Sequence, residues 1–207
     1  MEILRKHFPD LTDKQVAQFE KLGESFVHWN SQINLVSRKD IDEFYTRHVL
    51  HSLAIAKAMK FAEGSEILDV GTGGGLPGLP LAILYPEVKF TLCDSIGKKI
   101  KVVKELIEDV GLKNTKAYHR RANEVPGKFD FIVSRAVTRM NKFIPWVENK
   151  IRKRCINPWP NGILYLKGGD LRQELNEINR DSEILPISDW YKEEFFETKA
   201  VVYVRLQ

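Results

Sequence analysis

Apolar positions recur at helical spacing in the first part of the chain. Thr12 and Gln15 have the form of a capping box, which predicts that a helix begins at this point. Asp40 and Glu43 repeat the start signal and predict a second helix. We therefore expect residues 1–62 to form a helical N-terminal extension. The apolar face of the first helix consists of Val16, Phe19, Leu22, Phe26 and Trp29.

Beyond Gly64 the pattern changes to short apolar runs separated by turn residues and helical segments. Strands that alternate with helices predict a doubly wound α/β fold with a mostly parallel sheet. The alternating segments Glu183–Ile187 and Thr198–Leu206 predict a closing antiparallel hairpin. Residues 63–207 thus form the predicted α/β domain. Its first five predicted strands are Ile67–Val70, Val88–Asp94, Thr115–His119, Phe129–Val133 and Gly162–Leu166.

A glycine-rich turn follows the first of these strands. Glycine tolerates positive φ and lets the backbone approach a ligand closely. A strand, a glycine turn and a helix in this order are typical of the nucleotide-cofactor crevice of an open α/β sheet. The turn contains Gly71, Gly73, Gly74, Gly75 and Gly78.

Two classes of cofactor use such a turn. Residues 73–78 formally satisfy GxGxxG, but counting from Gly71, at the strand end, the sixth position is Leu76. Pro77 removes an N–H group that a pyrophosphate would bind. The carboxylate of Asp69 would repel a pyrophosphate, whereas it suits the amino group of a methionine moiety. The turn therefore favours S-adenosylmethionine over NAD, and a NAD-dependent oxidoreductase is the alternative.

Composition narrows the class of protein further. The 207 residues are 43% hydrophobic, which suits one domain with an extension. The charged segment 1–10 does not resemble a signal peptide, and no apolar run is long enough to span a membrane. Cys93 and Cys155 lack metal-ligand spacing. We expect a cytoplasmic protein without a metal site or a membrane segment, and nothing demands more than a monomer.

The net charge of +4 is unevenly distributed. Residues 95–154 contain 16 Lys and Arg against 6 Asp and Glu, whereas the remaining residues contain 16 against 22. Cations follow successive predicted strands, so they meet on the rim of the sheet that holds the cofactor. Such a rim suits phosphate contacts and predicts an RNA partner. The candidates for RNA binding are Lys98, Lys99, Arg121, Arg139 and Lys167.

Several longer stretches resemble one known family. They are GTGGGLPGLPLAILYP at 71–86, NLVSRKDIDEFYTRHVLHSL at 34–53, LCDSIGKKIKVVKEL at 92–106, FIVSRAV at 131–137 and LYLKGGDL at 164–171. The chain is similar over nearly its whole length to the glucose-inhibited division protein B (GidB) family, also called RsmG. Two departures are His51, where many members have an acidic residue, and residues 152–161.

The resemblance implies a class I S-adenosylmethionine methyltransferase with a seven-stranded, Rossmann-like sheet. It implies methylation of guanine N7 in the 530-loop region of 16S ribosomal RNA, with the RNA, the small subunit or its precursor as partner. Asp94 then binds the ribose hydroxyls, as a carboxylate does in dinucleotide folds. The implied cofactor-binding residues are Asp69, Gly71, Gly73, Gly75, Leu76, Asp94, Ser95, Ala122, Asn123 and Arg135.

The candidate catalytic residue is Arg135, at the end of the fourth predicted strand. It is placed to contact the methionine carboxylate, guanine O6 or an RNA phosphate. Guanine N7 needs no general base, which fits a rim without an evident one. A non-catalytic RNA-binding protein is a third hypothesis for the chain. We expect His48 and His51 to make structural hydrogen bonds where the extension meets the sheet.

Overall fold

The computed structural model describes the backbone of all 207 residues and every side chain except those of Arg38 and Lys39. Helices precede the sheet and then alternate with its strands. They are α1 (Glu2–His7), α2 (Asp13–Gln32), α3 (Arg38–Ile41), a π-helix (Phe44–Leu50), α4 (His51–Ala58), α5 (Gly78–Leu84), α6 (Gly97–Val110), α7 (Met140–Val147) and α8 (Arg172–Asn176). Short 3₁₀ turns lie at Ala122–Glu124, Glu148–Lys150, Ile187–Asp189 and Glu194–Phe196.

Seven strands form one sheet in the order β3-β2-β1-β4-β5-β7-β6. The first five are parallel, whereas β7 runs antiparallel to both β5 and β6. This topology confirms the predicted mostly parallel sheet with an antiparallel pair. The strands are β1 (Glu66–Val70), β2 (Lys89–Asp94), β3 (Thr115–His119), β4 (Phe131–Arg135), β5 (Gly162–Gly168), β6 (Ser182–Pro186) and β7 (Lys199–Arg205).

The predicted capping box at the start of α2 is present. Thr12 Oγ1 accepts a hydrogen bond from the Gln15 backbone N–H at 3.3 Å, and Gln15 Oε1 accepts one from the Thr12 N–H at 3.0 Å. These two bonds satisfy backbone donors that the helix itself leaves free. The helix therefore begins at Asp13 as its sequence predicts.

The predicted second helix is present, as continuous helical structure from Phe44 to Ala58, but the predicted capping role of Asp40 and Glu43 is wrong. The structure has the short α3, and neither residue caps a helix with its side chain. Asp40 instead accepts hydrogen bonds from Ser37 and Arg47. A π-helix begins at Phe44 and places His48 and Leu50 in the core.

The fourth strand is shifted from its predicted position at residues 129–133. Phe129 makes only an isolated bridge to Ile151, whereas β4 continues to Arg135 because Leu166 of β5 lies beside it. Arg135 is thus the last residue of the strand, not the second residue after it. The shift leaves this side chain at the carboxyl edge of the sheet.

The helical residues before β1 share one hydrophobic core with one face of the sheet. Phe26 of α2 and Leu53 of α4 belong to the same cluster as Phe90, Val133 and Leu164 of the strands. The other face packs against α7 in a second cluster. The division into an extension of 62 residues and a domain stays a prediction.

Among the residues whose side chains are described, no helix is both long and apolar enough to cross a lipid bilayer.

An ion pair with a buried carboxylate lies at the amino edge of the sheet, directly before β4. Asp130 is fully buried and accepts from Arg152 Nη1 at 3.1 Å, and Arg152 Nη2 also lies 3.0 Å from Glu66. Asp130 further accepts from the Glu66 backbone N–H at 2.8 Å. Arg152 therefore compensates a carboxylate that water does not reach.

We expect Arg152→Met to lower the free energy of unfolding by about 3 kcal/mol, because it leaves a buried charge without its partner. Urea denaturation at neutral pH measures the change. The matched control is Arg154→Met: this side chain is exposed, and its loss should change stability by no more than about 0.5 kcal/mol. Equal effects of the two variants would contradict the role of the buried pair.

Candidate active site

The glycine turn is fixed to the end of β2. The backbone N–H groups of Gly71 and Thr72 both donate to the carbonyl of Cys93, at 2.9 and 3.1 Å. The Gly73 N–H donates to Asp94 Oδ2 at 2.9 Å. Three successive residues of the turn are thus tied to two residues of the neighbouring strand, which places the turn at the carboxyl edge of the sheet.

Two glycines of the turn both have positive φ angles, but their surroundings differ. Gly71 has φ +68°, and a Cβ there would lie 2.5 Å from Val137 of the loop after β4. Gly73 has φ +58°, and no atom lies within 4 Å of the place where its Cβ would be. Gly71 therefore allows the two loops to touch, whereas the space beside Gly73 is open.

Asp69 lies beneath the turn and is fully buried. Its Oδ2 accepts from Thr72 Oγ1 at 2.6 Å and from the Gly78 N–H at 2.8 Å. Among the described residues, Oδ1 has no hydrogen-bond partner. Burial raises the pKa of Asp69 to about 7, although these hydrogen bonds and the charge of Arg135 oppose the rise.

Asp94 ends β2 beside the same turn. Its Oδ2 binds the Gly73 N–H, and its Oδ1 accepts from the Ile96 N–H at 2.8 Å. Each carboxylate oxygen has two lone pairs, so each keeps one for a further donor. The carboxylate is oriented from both sides before any ligand arrives.

The other predicted cofactor residues lie around this edge with different exposure. Ser95 and Asn123 are exposed, whereas Ala122 is buried at the start of a 3₁₀ turn after β3. Leu76 is buried in the core, and its backbone N–H donates to Thr72 O. Direct contact with a cofactor stays a prediction for each of them.

Arg135 and His48 meet at the end of β4. Arg135 Nη1 lies 3.1 Å from His48 Nδ1, although the two residues are 87 positions apart. Burial lowers the pKa of Arg135 to about 10, opposed by the charges of Asp69 and Asp40, so the guanidinium stays charged at neutral pH. Among the described side chains, no carboxylate lies within 4.0 Å of it.

The loop after β4 is clamped by side chains of β5 and α8. Tyr165 Oη accepts from the N–H groups of Val137 and Thr138, both at 2.8 Å, and donates to Thr138 O. Lys167 donates to the same carbonyl and pairs with Glu174 at 2.7 Å. The loop that follows Arg135 is therefore held in place from one side.

The predicted RNA-binding cations divide into two groups. Arg139 pairs with Glu177, and Lys167 is mostly buried against Glu174. Lys98, Lys99 and Arg121 form no ion pair with any described side chain. RNA binding stays a prediction for all five residues. Only Lys98, Lys99 and Arg121 have a charge that no described side chain pairs with.

Sequence reasoning missed the neighbours that organise these residues. It assigned His48 to a structural junction without naming Arg135 as its partner, and it gave no role to Tyr165 or Glu174. A charged residue three positions into α8 carries no pattern that points to a loop more than thirty residues earlier. Such contacts appear only once the strands are assembled.

Among the described side chains, no group of three or more His, Cys, Asp and Glu residues is close enough to hold a metal ion.

The fold is that of class I methyltransferases. The chain resembles a SAM-dependent methyltransferase from Aquifex aeolicus, with a TM-score of 0.59, 16% identity, and coverage of 81% of this chain and 94% of that one. It also resembles precorrin-6y C5,15-methyltransferase from Geobacter metallireducens, with a TM-score of 0.56, 9% identity, and coverage of 84% and 91%. The predicted fold class is confirmed.

The chain belongs to the GidB family, whose model, described as rRNA small subunit methyltransferase G, matches residues 15–197. It is 56% identical over 207 residues to ribosomal RNA small subunit methyltransferase G of Christiangramia forsetii, covering 100% of this chain and 98% of the relative. For the proteins of the same name from Flavobacterium psychrophilum and Bacteroides thetaiotaomicron, identity is 58% and 48%, with coverage of 100% of this chain and of 99% and 100% of the relatives. The predicted family and its cofactor, S-adenosylmethionine, are confirmed, and the oxidoreductase alternative is not supported.

We expect Asp69→Asn to change how stability depends on pH. The pKa of Asp69 is about 7 in the folded protein and ~3.9 in an unfolded chain. Between these values the folded state holds a proton that the unfolded state has lost, so the wild type loses stability as pH rises from about 4 to about 7. The amide has no such proton, and its oxygen still accepts from Thr72 and Gly78.

Urea denaturation at pH 5 and pH 8, without cofactor, measures this difference. The loss of stability between the two pH values should be smaller in Asp69→Asn than in the wild type by on the order of 3 kcal/mol. The control is Asp10→Asn, at an exposed site, which should follow the wild type. The prediction fails if Asp69→Asn has the wild-type dependence.

Proposed function

We propose that this protein transfers a methyl group from S-adenosylmethionine to N7 of a guanine in 16S ribosomal RNA. The observation that carries the proposal is an unpaired, partly buried Arg135 at the end of β4, beside the glycine turn. A guanidinium in that place suits an anionic or carbonyl oxygen. Membership of a family of small-subunit rRNA methyltransferases supports the class of substrate.

The residues around the turn fit S-adenosylmethionine, which supplies a methyl group activated on a sulfonium. The open space beside Gly73 would let a ligand approach the backbone, and Asp94 has a free lone pair on each oxygen that would suit hydroxyl donors. The unpartnered Oδ1 of Asp69 is a free acceptor under the turn, and a cationic ligand there would favour the ionised carboxylate and lower its pKa from about 7. The carboxylates therefore select for positive charge where a pyrophosphate would be repelled.

Methylation at N7 requires little proton transfer by the protein. The N7 lone pair is free in neutral guanine, so no side chain must remove a proton before the new bond forms. Positioning is then the main contribution, and it can supply effective molarities of about 10⁵ M or more. Arg135 is suited to hold guanine O6 or the carboxylate of the cofactor, and the clamp on residues 137–138 fixes the adjoining loop.

The test is methyl transfer from labelled S-adenosylmethionine to small-subunit rRNA that lacks the modification, followed by nucleoside analysis. We expect 7-methylguanosine as the product. An RNA with 7-deazaguanine in place of the target guanine should accept no methyl group, because carbon replaces N7. Binding without turnover would favour a non-catalytic RNA-binding protein, and a methyl group on another atom would overturn the N7 assignment.

The same assay tests Arg135. Arg135→Ala should lower turnover by about tenfold or more, since it removes a charge-assisted hydrogen bond worth ~1.5–3 kcal/mol. The free energy of unfolding, measured by thermal unfolding, should fall by less than the activation free energy of methyl transfer rises. Wild-type kinetics in a folded Arg135→Ala variant would remove the proposed role.

We propose further that RNA approaches over the β2–β3 side of the rim. Lys98 and Arg121 are exposed there and unpaired with any described side chain. On the other side, Lys167 is paired with Glu174 of α8, and Arg139 with Glu177, the residue that follows α8. An ion pair must be broken before its cation can bind a phosphate, so unpaired cations contribute more. We also propose that the protein acts as a monomer in the cytoplasm.

The double variant Lys98→Gln/Arg121→Gln should weaken RNA binding and flatten its salt dependence. Loss of two phosphate contacts should lower the slope of log K against log [salt] by about 1.5–2. The control is Lys153→Gln/Arg154→Gln, which removes two exposed charges at the opposite edge of the sheet. Filter binding across a salt series measures both, and equal slopes for the two variants would contradict this approach.

A further inference from the structure

The π-helix brings a buried histidine against the guanidinium at the active-site rim. His48 lies in the middle of Phe44–Leu50 and is 8% exposed. A π-helix is rare and occurs often at functional sites. Here the π-helix places the imidazole of His48 against Arg135, which is the last residue of β4.

The direction of the hydrogen bond follows from the chemistry of the two groups. A guanidinium only donates, so His48 Nδ1 is the acceptor and its proton resides on Nε2. The imidazole is therefore neutral. Among the described residues, this is the one side-chain hydrogen bond that Arg135 makes.

The nearest cation in the sequence is held by its own ion pairs. Arg47, one residue before His48, is bound to Asp40 at 2.9 Å and to Glu43 at 2.6 Å. A carboxylate in the place of His48 would form an ion pair with Arg135 and reduce its attraction for a ligand. A neutral acceptor orients the guanidinium without compensating its positive charge, which stays available to attract a ligand.

The contact with Arg135, not burial, distinguishes His48 from His51. Both histidines have a buried Nε2 without a partner among the described residues. Burial, with a further contribution from the charge of Arg135, lowers the pKa of His48 to about 4. The imidazole thus remains an acceptor at neutral pH.

We infer that His48 is a positioning residue: it fixes the Arg135 guanidinium so that the remaining N–H groups face the crevice. This inference rests on the proposed function, because it assigns Arg135 to the reacting partners. It gives the N-terminal helices a part in the reaction beyond packing, since the acceptor comes from them and the donor from the sheet.

Four variants test the inference by single-turnover methyl transfer at subsaturating S-adenosylmethionine. His48→Leu removes the acceptor, and His48→Asn offers an oxygen close to the place of Nδ1. His48→Gln carries the same amide one bond further out, where it misses Arg135. The control is His51→Leu, since His51 is buried to a similar extent, at 6%, in the adjoining α4.

We expect His48→Leu and His48→Gln to lose about tenfold or more in rate, whereas His48→Asn and His51→Leu stay within about threefold of the wild type. In an Arg135→Ala background, His48→Leu should cost less than about threefold, because the two residues act through one contact. Equal losses at positions 48 and 51, equal rates for Asn and Gln, or multiplicative effects with Arg135→Ala would each overturn the inference.

A spectroscopic measurement separates this inference from the proposed function. In ¹⁵N-histidine-labelled protein, His48 should show an unprotonated Nδ1 and a protonated Nε2, and Arg135→Ala should shift the Nδ1 resonance. A protonated Nδ1 contradicts the contact whatever reaction the enzyme performs. If the tautomer is as expected but the wild type transfers no methyl group to guanine N7, the proposed function fails and the contact stands.

Discussion

The anchoring of the glycine turn to the end of β2 is the constraint on which the rest of the site depends. Three consecutive N–H groups of the turn are bound by Cys93 O and Asp94, so the turn cannot move apart from the sheet. Asp69 supports the same turn from below by binding the N–H of Gly78, where α5 begins. The carboxylates of Asp69 and Asp94 thus hold the turn in place. In return, Asp69 is buried with one oxygen that has no hydrogen-bond partner among the described residues.

The contact between Gly71 and Val137 extends this order to the other half of the crevice. A Cβ at residue 71 would collide with Val137. Because Gly71 has no Cβ, the loop after β4 can lie directly on the turn. Tyr165 then holds that loop from the side of β5. The two halves of the crevice are in this way one continuous structure, with Arg135 between them.

The sequence predicted most of the sheet because each strand carries its own signal. β3 has the bounds that were predicted for it, and β1, β2 and β5 differ only at their ends. The glycine turn, Asp69 and Asp94 were also predicted, since their spacing belongs to one short segment. Local patterns sufficed for these features.

Features that depend on distant partners could not be predicted in this way. Asp40 and Glu43 carry helix-start signals, yet Asp40 is used by Ser37 and Arg47, and a π-helix follows. Lys167 was expected to face RNA, although a prediction from strand order has no information on Glu174 of α8. Tertiary contacts override local preference at these positions.

The strand order also constrains how the chain reaches its folded state. β7 lies between β5 and β6, so β6 has no partner in the sheet until β7 has been inserted. The pairing of β5 with β7 joins residues more than thirty positions apart, and such non-local contacts form slowly. Until then the edge of β5 is exposed, and with it Tyr165, the side chain that holds the loop after Arg135. We therefore expect the loop that Tyr165 holds to become ordered only after β7 has paired with β5.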